Sequence, residues 1–130
     1  MIVALEGIIE GLGQDSAIIR VGPITLKIFT PASTLNQLKS VGRKIRLNTH
    51  LYIREDNISI YGFFSVEELN LFQNLISVSG IGPKAALSLL SAFATEQLAS
   101  AIASGDTDLL SQVSGIGKKT SGRFVLELKG

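Results

Sequence analysis

Residues 78–84 read Val-Ser-Gly-Ile-Gly-Pro-Lys, and residues 113–119 read Val-Ser-Gly-Ile-Gly-Lys-Lys. Six of the seven positions are identical, at an offset of 35 residues. A repeat at that distance marks two copies of one supersecondary unit. Each copy lies between two apolar segments, so each reads as a helix, a tight Gly-X-Gly hairpin and a second helix.

Such a hairpin has specific chemistry. Glycine lets the chain take φ > 0 and removes the Cβ atoms that would hold a ligand away. The helix that follows begins with backbone N–H groups lacking intrahelical partners. Its macrodipole adds partial positive charge at the same end. A lysine two residues past the second glycine, Lys84 or Lys119, adds a full charge. Together these features suit a phosphate. The alternative is a helix corner in which glycine serves geometry alone, a reading that repetition with lysine disfavours.

The charge distribution agrees with a local contact. The chain has 130 residues and a net charge of only +1. Residues 1–62 carry seven Lys/Arg against five Asp/Glu, and residues 63–130 carry five against six. In the second half, Lys84, Lys118, Lys119 and Arg123 sit at or just after the hairpins, and Lys129 follows later. Glu67, Glu68, Glu96, Asp106 and Asp108 lie away from the hairpins in sequence. Positive charge on an acidic background favours a defined contact over a general basic coat. There is no cysteine, which excludes disulfides and thiolate metal sites, and the single His50 cannot anchor zinc alone. No apolar run approaches a membrane span, and the N-terminus lacks a signal-peptide pattern, so a soluble cytoplasmic protein is expected.

The first half has strand periodicity. Residues 2–10 are apolar and lead into Gly11-Leu12-Gly13, a strand and a turn. Ala17 to Val21 reads as a second strand, Gly22-Pro23 as a turn, and Ile24, Leu26 and Ile28 as alternate positions of a third, ended by Pro31. Residues 32–39 carry Leu35 and Leu38 at helical spacing. Over residues 44–54, Ile45, Leu47, Thr49, Leu51 and Ile53 face one way, and Lys44, Arg46, Asn48, His50, Tyr52 and Arg54 the other. The second face is a solvated surface, a subunit contact or a nucleic-acid contact, with His50 an ordinary polar or interface residue. Glu55-Asp56-Asn57 is a turn, and Ile58 to Phe64 the last strand. Five strands with a short helix in about sixty residues predict a small closed barrel of the oligonucleotide/oligosaccharide-binding (OB) type. Closure would remove exposed strand edges. An open meander packed on the helices is the alternative.

From Ser65 the period becomes helical. Ser65 and Glu68 have capping-box spacing, and Val66, Leu69, Phe72, Leu75 and Ile76 form a stripe. Pro83 falls in the first turn of the next helix, where its missing N–H is harmless. Ala85, Ala86, Leu89, Leu90 and Phe93 follow, then Thr95 as an N-cap with Leu98, Ala99 and Ile102 behind it. Gly105-Asp106 is a turn before Leu109, Leu110 and Val113. A final helix runs from about Lys118, with Phe124, Val125 and Leu128 apolar. The expected fold class is therefore α+β, with a five-stranded OB-like barrel at 1–63 and an all-α domain with two helix-hairpin-helix motifs at 64–130.

The twin turns resemble tandem helix-hairpin-helix motifs, which hold DNA backbone without reading sequence. The whole arrangement resembles the RuvA family, the Holliday-junction-binding subunit of the bacterial branch-migration machine. The resemblance rests on Arg54-Glu55-Asp56 leading to Tyr61-Gly62-Phe63, on Gly80-Ile81-Gly82-Pro83-Lys84, and on Gly115-Ile116-Gly117-Lys118-Lys119-Thr120, in that order and spacing. It implies a non-enzymatic, sequence-independent binder of four-way DNA junctions in homologous recombination, DNA repair and the SOS response. It implies a homotetramer formed through the barrels, a motor ATPase partner, RuvB, and a junction resolvase partner, RuvC. No cofactor, catalytic residue, metal or membrane is implied. Gly80, Ile81, Gly82, Lys84, Gly115, Ile116, Gly117, Lys118, Lys119 and Arg123 are implied to grip phosphates. Glu55 and Asp56 are implied to form an acidic pin at the tetramer centre. A carboxylate about 4 Å from a phosphate is repelled by roughly 1 kcal/mol in water and about 4 kcal/mol at an effective dielectric near 20. Read from the residues alone, Asp56-Asn57 is turn chemistry first, and the family resemblance reverses that preference.

Two departures from the family pattern stand out. Ser121 and Gly122 replace an alanine and a charged residue, and Gly122 within a helix costs about 0.5–1 kcal/mol relative to Ala. The family's linker and third helical domain, which docks on RuvB, are not in this sequence. The expectation is a truncated form or proteolytic core that binds junctions without stimulating the motor. Two other functions compete. A helix-hairpin-helix glycosylase or nuclease needs a catalytic pocket residue or clustered carboxylates, and Asp106 and Asp108 fall where a helix start favours acids. A single-strand-binding OB protein needs aromatic platforms, for which Phe29, Tyr52, Tyr61, Phe63 and Phe64 are the candidates. No Walker A motif is present, so ATPase activity is not expected.

Overall fold

The computed structural model describes residues 1–38, 40–113 and 115–128. Lys39, at the end of the expected first helix, Ser114 of the second repeat, Lys129 and Gly130 lie outside the described residues. The chain divides into two compact units, Met1–Leu69 and Asn70–Gly130.

The first unit is a closed five-stranded barrel. The strands are β1 (Ala4–Leu12), β2 (Ser16–Val21), β3 (Ile24–Phe29), β4 (Lys44–Arg54) and β5 (Asn57–Phe63), in the spatial order β1-β2-β3-β5-β4. The helix α1 (Ala32–Leu38) joins β3 to β4. Gly11 lies inside β1 rather than in a turn, because the strand absorbs an irregularity in register between Ile9 and Gly11 and continues to pair with β2. Such a bulge bends and twists a strand, as a small barrel requires. Closure is narrow at one seam: β3 and β5 run parallel and pair only at Ile28↔Ile60 and Phe29↔Tyr61. The interior holds Ile9, Ile19, Ile28 and Leu47, with Leu38 from α1 packed among them, all fully buried. Each such side chain contributes about 1.5–3 kcal/mol on removal from water. Gly62 of β5 is needed for close approach, since a Cβ there would lie 2.7 Å from Ile28 Cγ2.

The alternation expected along β4 holds at one end and fails at the other. Ile45, Leu47 and Thr49 are buried, Leu51 is half-buried, and Ile53 is 54% exposed. The cause is pairing. β1 accompanies β4 only from Lys44 to Asn48, and β3 meets β5 only at Ile60 and Tyr61. Beyond these contacts β4 and β5 form a two-stranded ribbon, with Ile53 opposite Ile58 and Arg54 opposite Asn57. No barrel interior remains for Ile53 and Ile58 to enter. On β3, Ile24 is likewise exposed at the strand end.

Helix α2 (Val66–Ile76) starts at Ser65, whose Oγ accepts from the Glu68 backbone N–H at 3.1 Å. The Glu68 carboxylate accepts from the hydroxyls of Ser65 at 3.3 Å and Ser33 at 3.2 Å. Leu69, Phe72 and Leu75 are buried as the stripe predicts, whereas Val66 at the first turn is exposed.

The second unit continues with α3 (Pro83–Ala92), α4 (Thr95–Ser104), α5 (Thr107–Leu110) and α6 (Lys118–Leu128). Its core contains Phe72, Leu75, Leu89, Leu98, Leu110 and Phe124, all fully buried. Thr95 is not the N-cap of α4: Ala94 occupies that place with no side-chain cap, and Thr95 is the first helical residue. Ala99 is exposed, and Ala101 takes the buried position beside Leu98 and Ile102. Gly105 closes α4 in the left-handed conformation, φ 75°. Asp106 then caps α5, accepting from the Leu109 N–H at 3.1 Å.

Candidate nucleic-acid interface

The two hairpins close with the same backbone bond. In the first, the Ile81 N–H donates to Val78 O at 3.1 Å; in the second, the Ile116 N–H donates to Val113 O at 3.0 Å. These are four-residue turns, with glycine at the third place. Gly80 and Gly115 both have φ +88°, the value a type II turn needs at that place and one that side chains disfavour. Ile81 and Ile116 then bury their side chains, at 7% and 4% exposure, and anchor each hairpin in the core.

The second glycine of each pair has a different task. Gly82 is the N-cap of α3 with extended backbone, φ −99° and ψ 175°. Its carbonyl accepts from Ala86 N–H at 3.2 Å, and Gly117 O accepts from Ser121 N–H at 2.9 Å. Gly117 therefore occupies the same place before α6. A Cβ at Gly82 or Gly117 would meet nothing within 4 Å. The space in front of each helix start is open, and the first-turn N–H groups have no intrahelical acceptor. Neither first turn carries an acidic residue to occupy them.

The copies differ in detail. Pro83 leads α3, so that first position has no N–H, while Lys118 holds the matching place in α6 and keeps its own. Lys84, Lys118 and Lys119 are exposed. The second hairpin is entered from the four-residue α5, the first from the eleven-residue α2. Asp108 is distant from the hairpins in sequence but not in space: its carboxylate lies 3.9 Å from Lys118 Nζ. Both side chains are more than 80% exposed, so the pair holds the lysine weakly. Sequence spacing gave no sign of this pair. Ser121 is buried, and its Oγ donates to Gly117 O at 2.9 Å.

Arg123 is placed differently from the lysines. Its Nη1 donates to the Ser79 carbonyl at 3.0 Å, so a side chain on α6 reaches the turn of the first hairpin. The Ser79 carbonyl was not a candidate from the sequence, because no periodicity relates residues 44 apart.

Glu55 and Asp56 form the two-residue turn at the end of the β4–β5 ribbon, both exposed. On the adjoining ribbon face, Arg54 lies over the Tyr52 ring, its Cζ 4.8 Å from the centroid. Arg46 pairs with Glu6 at 3.4 Å. Lys27 Nζ stands 5.2 Å from the Phe29 ring centroid. Tyr52 and Phe29 are thus faced by basic side chains, and Tyr61 and Phe63 are buried, which disfavours an open stacking platform of the kind single-strand binders use. His50 is half-buried, and burial pushes its pKa below 6.5. Asp106 serves as a cap, and no group of three or more His, Asp or Glu able to hold a metal occurs among the described residues. Among the described residues no single helix is long and apolar enough to cross a membrane.

Comparison with known proteins agrees with both units. Residues 1–62 match the RuvA N terminal domain, and residues 72–129 match the SAM-like Helix-hairpin-helix tandem. The proteins named Holliday junction branch migration complex subunit RuvA from Dehalococcoides mccartyi and Caldanaerobacter subterraneus are each 50% identical over 129 residues. That from Chloroflexus aurantiacus is 46% identical over 130 residues. The alignments cover 99–100% of this chain and 66–69% of those relatives, so the chain spans about two thirds of their length. The closed barrel, the paired hairpins and these relatives together establish that the chain belongs to the RuvA family.

Proposed function

We propose that the chain binds four-way DNA junctions without regard to sequence, as the non-enzymatic subunit of a branch-migration machine in recombination and repair. The observation that carries this reading is the duplicated hairpin. Two turns with the same φ, the same hydrogen bonds and open helix starts, flanked by Lys84, Lys118 and Lys119, suit two phosphates per subunit. A phosphate there would accept from first-turn N–H groups and meet a lysine charge. Such contacts position a protein on DNA and carry no base information.

In this reading residues 64–130 grip the arms, and the barrel of residues 1–63 assembles four copies. Exposed Ile53 and Ile58, opposite each other on the ribbon, are apolar surface that such an assembly would cover. Glu55 and Asp56 then gather at the fourfold centre and repel backbone phosphates, which keeps the crossover open. The motor ATPase RuvB and the resolvase RuvC are the partners, and the protein acts in the cytoplasm on chromosomal DNA. The helix-hairpin-helix enzyme alternative has no carboxylate cluster to support it among the described residues.

Titration of a labelled four-way junction across a salt series tests the phosphate contacts. Each lysine neutralising a phosphate adds about 0.9 to the slope of log affinity against log salt. Lys84→Ala and Lys118→Ala are each expected to weaken binding and to lower that slope by about one unit. An unchanged slope in both would remove the hairpins from the phosphate contact.

A further inference from the structure

The repeat is broken at one informative place. Arg123 lies six residues past Gly117, and its counterpart six residues past Gly82 is Ser88. Ser88 stays within its own helix, its Oγ donating to Lys84 O at 3.0 Å. Arg123 instead leaves its motif and donates through Nη1 to the Ser79 carbonyl of the other hairpin, at 3.0 Å. The acceptor belongs to the peptide unit immediately before Gly80, the residue held at φ +88°. A Cβ on Gly80 would stand 3.4 Å from the same Nη1. The guanidinium is thus seated against the turn's backbone, where glycine leaves room for it.

We infer that Arg123 is a positioning residue: it fixes the first hairpin relative to α6, so that the two phosphate grips act as one rigid unit. This role is distinct from that of Lys84, Lys118 and Lys119, which are solvated charges at the helix starts. Arginine suits it because its donors lie in a planar fork, pre-organised for a fixed acceptor. The bond to Ser79 O constrains the turn whose next N–H, that of Ile81, closes onto Val78 O. A hairpin held this way presents its helix start in one orientation before DNA arrives, and less ordering remains to be done on binding. The bond couples the two motifs, and by linkage each steadies the other.

The inference builds on the phosphate reading above, and its test separates the two. Hydrogen exchange at the Ile81 amide is measured first, on the whole chain without DNA. Arg123→Ala and Arg123→Lys are both expected to speed it several-fold; wild-type exchange in Arg123→Ala would overturn the tie whatever happens with DNA. A double-mutant cycle with Lys84→Ala on a four-way junction follows. Arg123→Ala is expected to weaken binding several-fold in the wild-type background, less in the Lys84→Ala background, and to leave the salt slope unchanged. Equal losses in both backgrounds, with the slope lower by about one unit, would make Arg123 a separate phosphate ligand instead. Full binding by Arg123→Lys while Ile81 exchange stays faster than wild type would equally overturn the inference, because charge would then suffice without the tie. A failure of the phosphate reading appears elsewhere, as an unchanged salt slope in both Lys84→Ala and Lys118→Ala, and leaves the exchange result to decide the tie.

Discussion

Gly80 and Gly82 stand two residues apart, and the fold uses them for different ends. Gly80 supplies a backbone angle, φ +88°, whereas Gly82 has extended backbone and supplies open space before α3. The motif made both legible as glycine positions, but their tasks differ only in the folded backbone. Other single residues were less legible. Thr95 is a good capping type, yet Ala94 takes the cap without a side-chain bond. Cap preference is a weak local term that packing of the helix can override. Gly122 lies inside α6 on its exposed side, and a Cβ there would meet nothing within 4 Å. Gly122→Ala should therefore stabilise the helical unit by about 0.5–1 kcal/mol, raising its thermal midpoint by a few degrees. A lowered midpoint would mean that α6 needs the glycine for backbone reasons.

Among the elements, the strands and helices that bury a regular face were readable and those that leave the core were not. Residues 44–49 alternate in the structure as in the sequence, because one side of β4 there faces the barrel interior. From Leu51 outward the same alternation loses its meaning, since the strand has only β5 beside it. A period-2 pattern reports which side chains share a face, not whether anything covers that face. The ribbon carries Glu55 and Asp56 at its tip, and the proposed central role predicts a particular response. Glu55→Gln combined with Asp56→Asn keeps the shape of both side chains and removes two negative charges. Junction affinity should be retained or increased, most at low salt, where repulsion of phosphates is least screened. A large loss of affinity in the same titration would mean that the carboxylates attract something at the junction rather than hold strands apart.

For the molecule as a whole, each half was recognisable by its pattern: strand periodicity closing into a barrel, then helical periodicity interrupted by two matching turns. Contacts between residues far apart in sequence had no such signature. Arg123 with Ser79 and Lys118 with Asp108 depend on how helices pack, and packing has no period. Choice of a junction rests on geometry rather than on affinity for DNA in general. Two grips per subunit would hold any duplex backbone; four subunits around one axis would favour a substrate with four arms. Competition between an unlabelled four-way junction and a duplex of the same sequences, at one salt concentration and with the protein's mass followed by light scattering, tests this directly. The expected result is a mass four times that of one chain and displacement by the junction at concentrations well below those the duplex needs. A strict monomer that is displaced equally by both would rule out junction choice by a fourfold assembly.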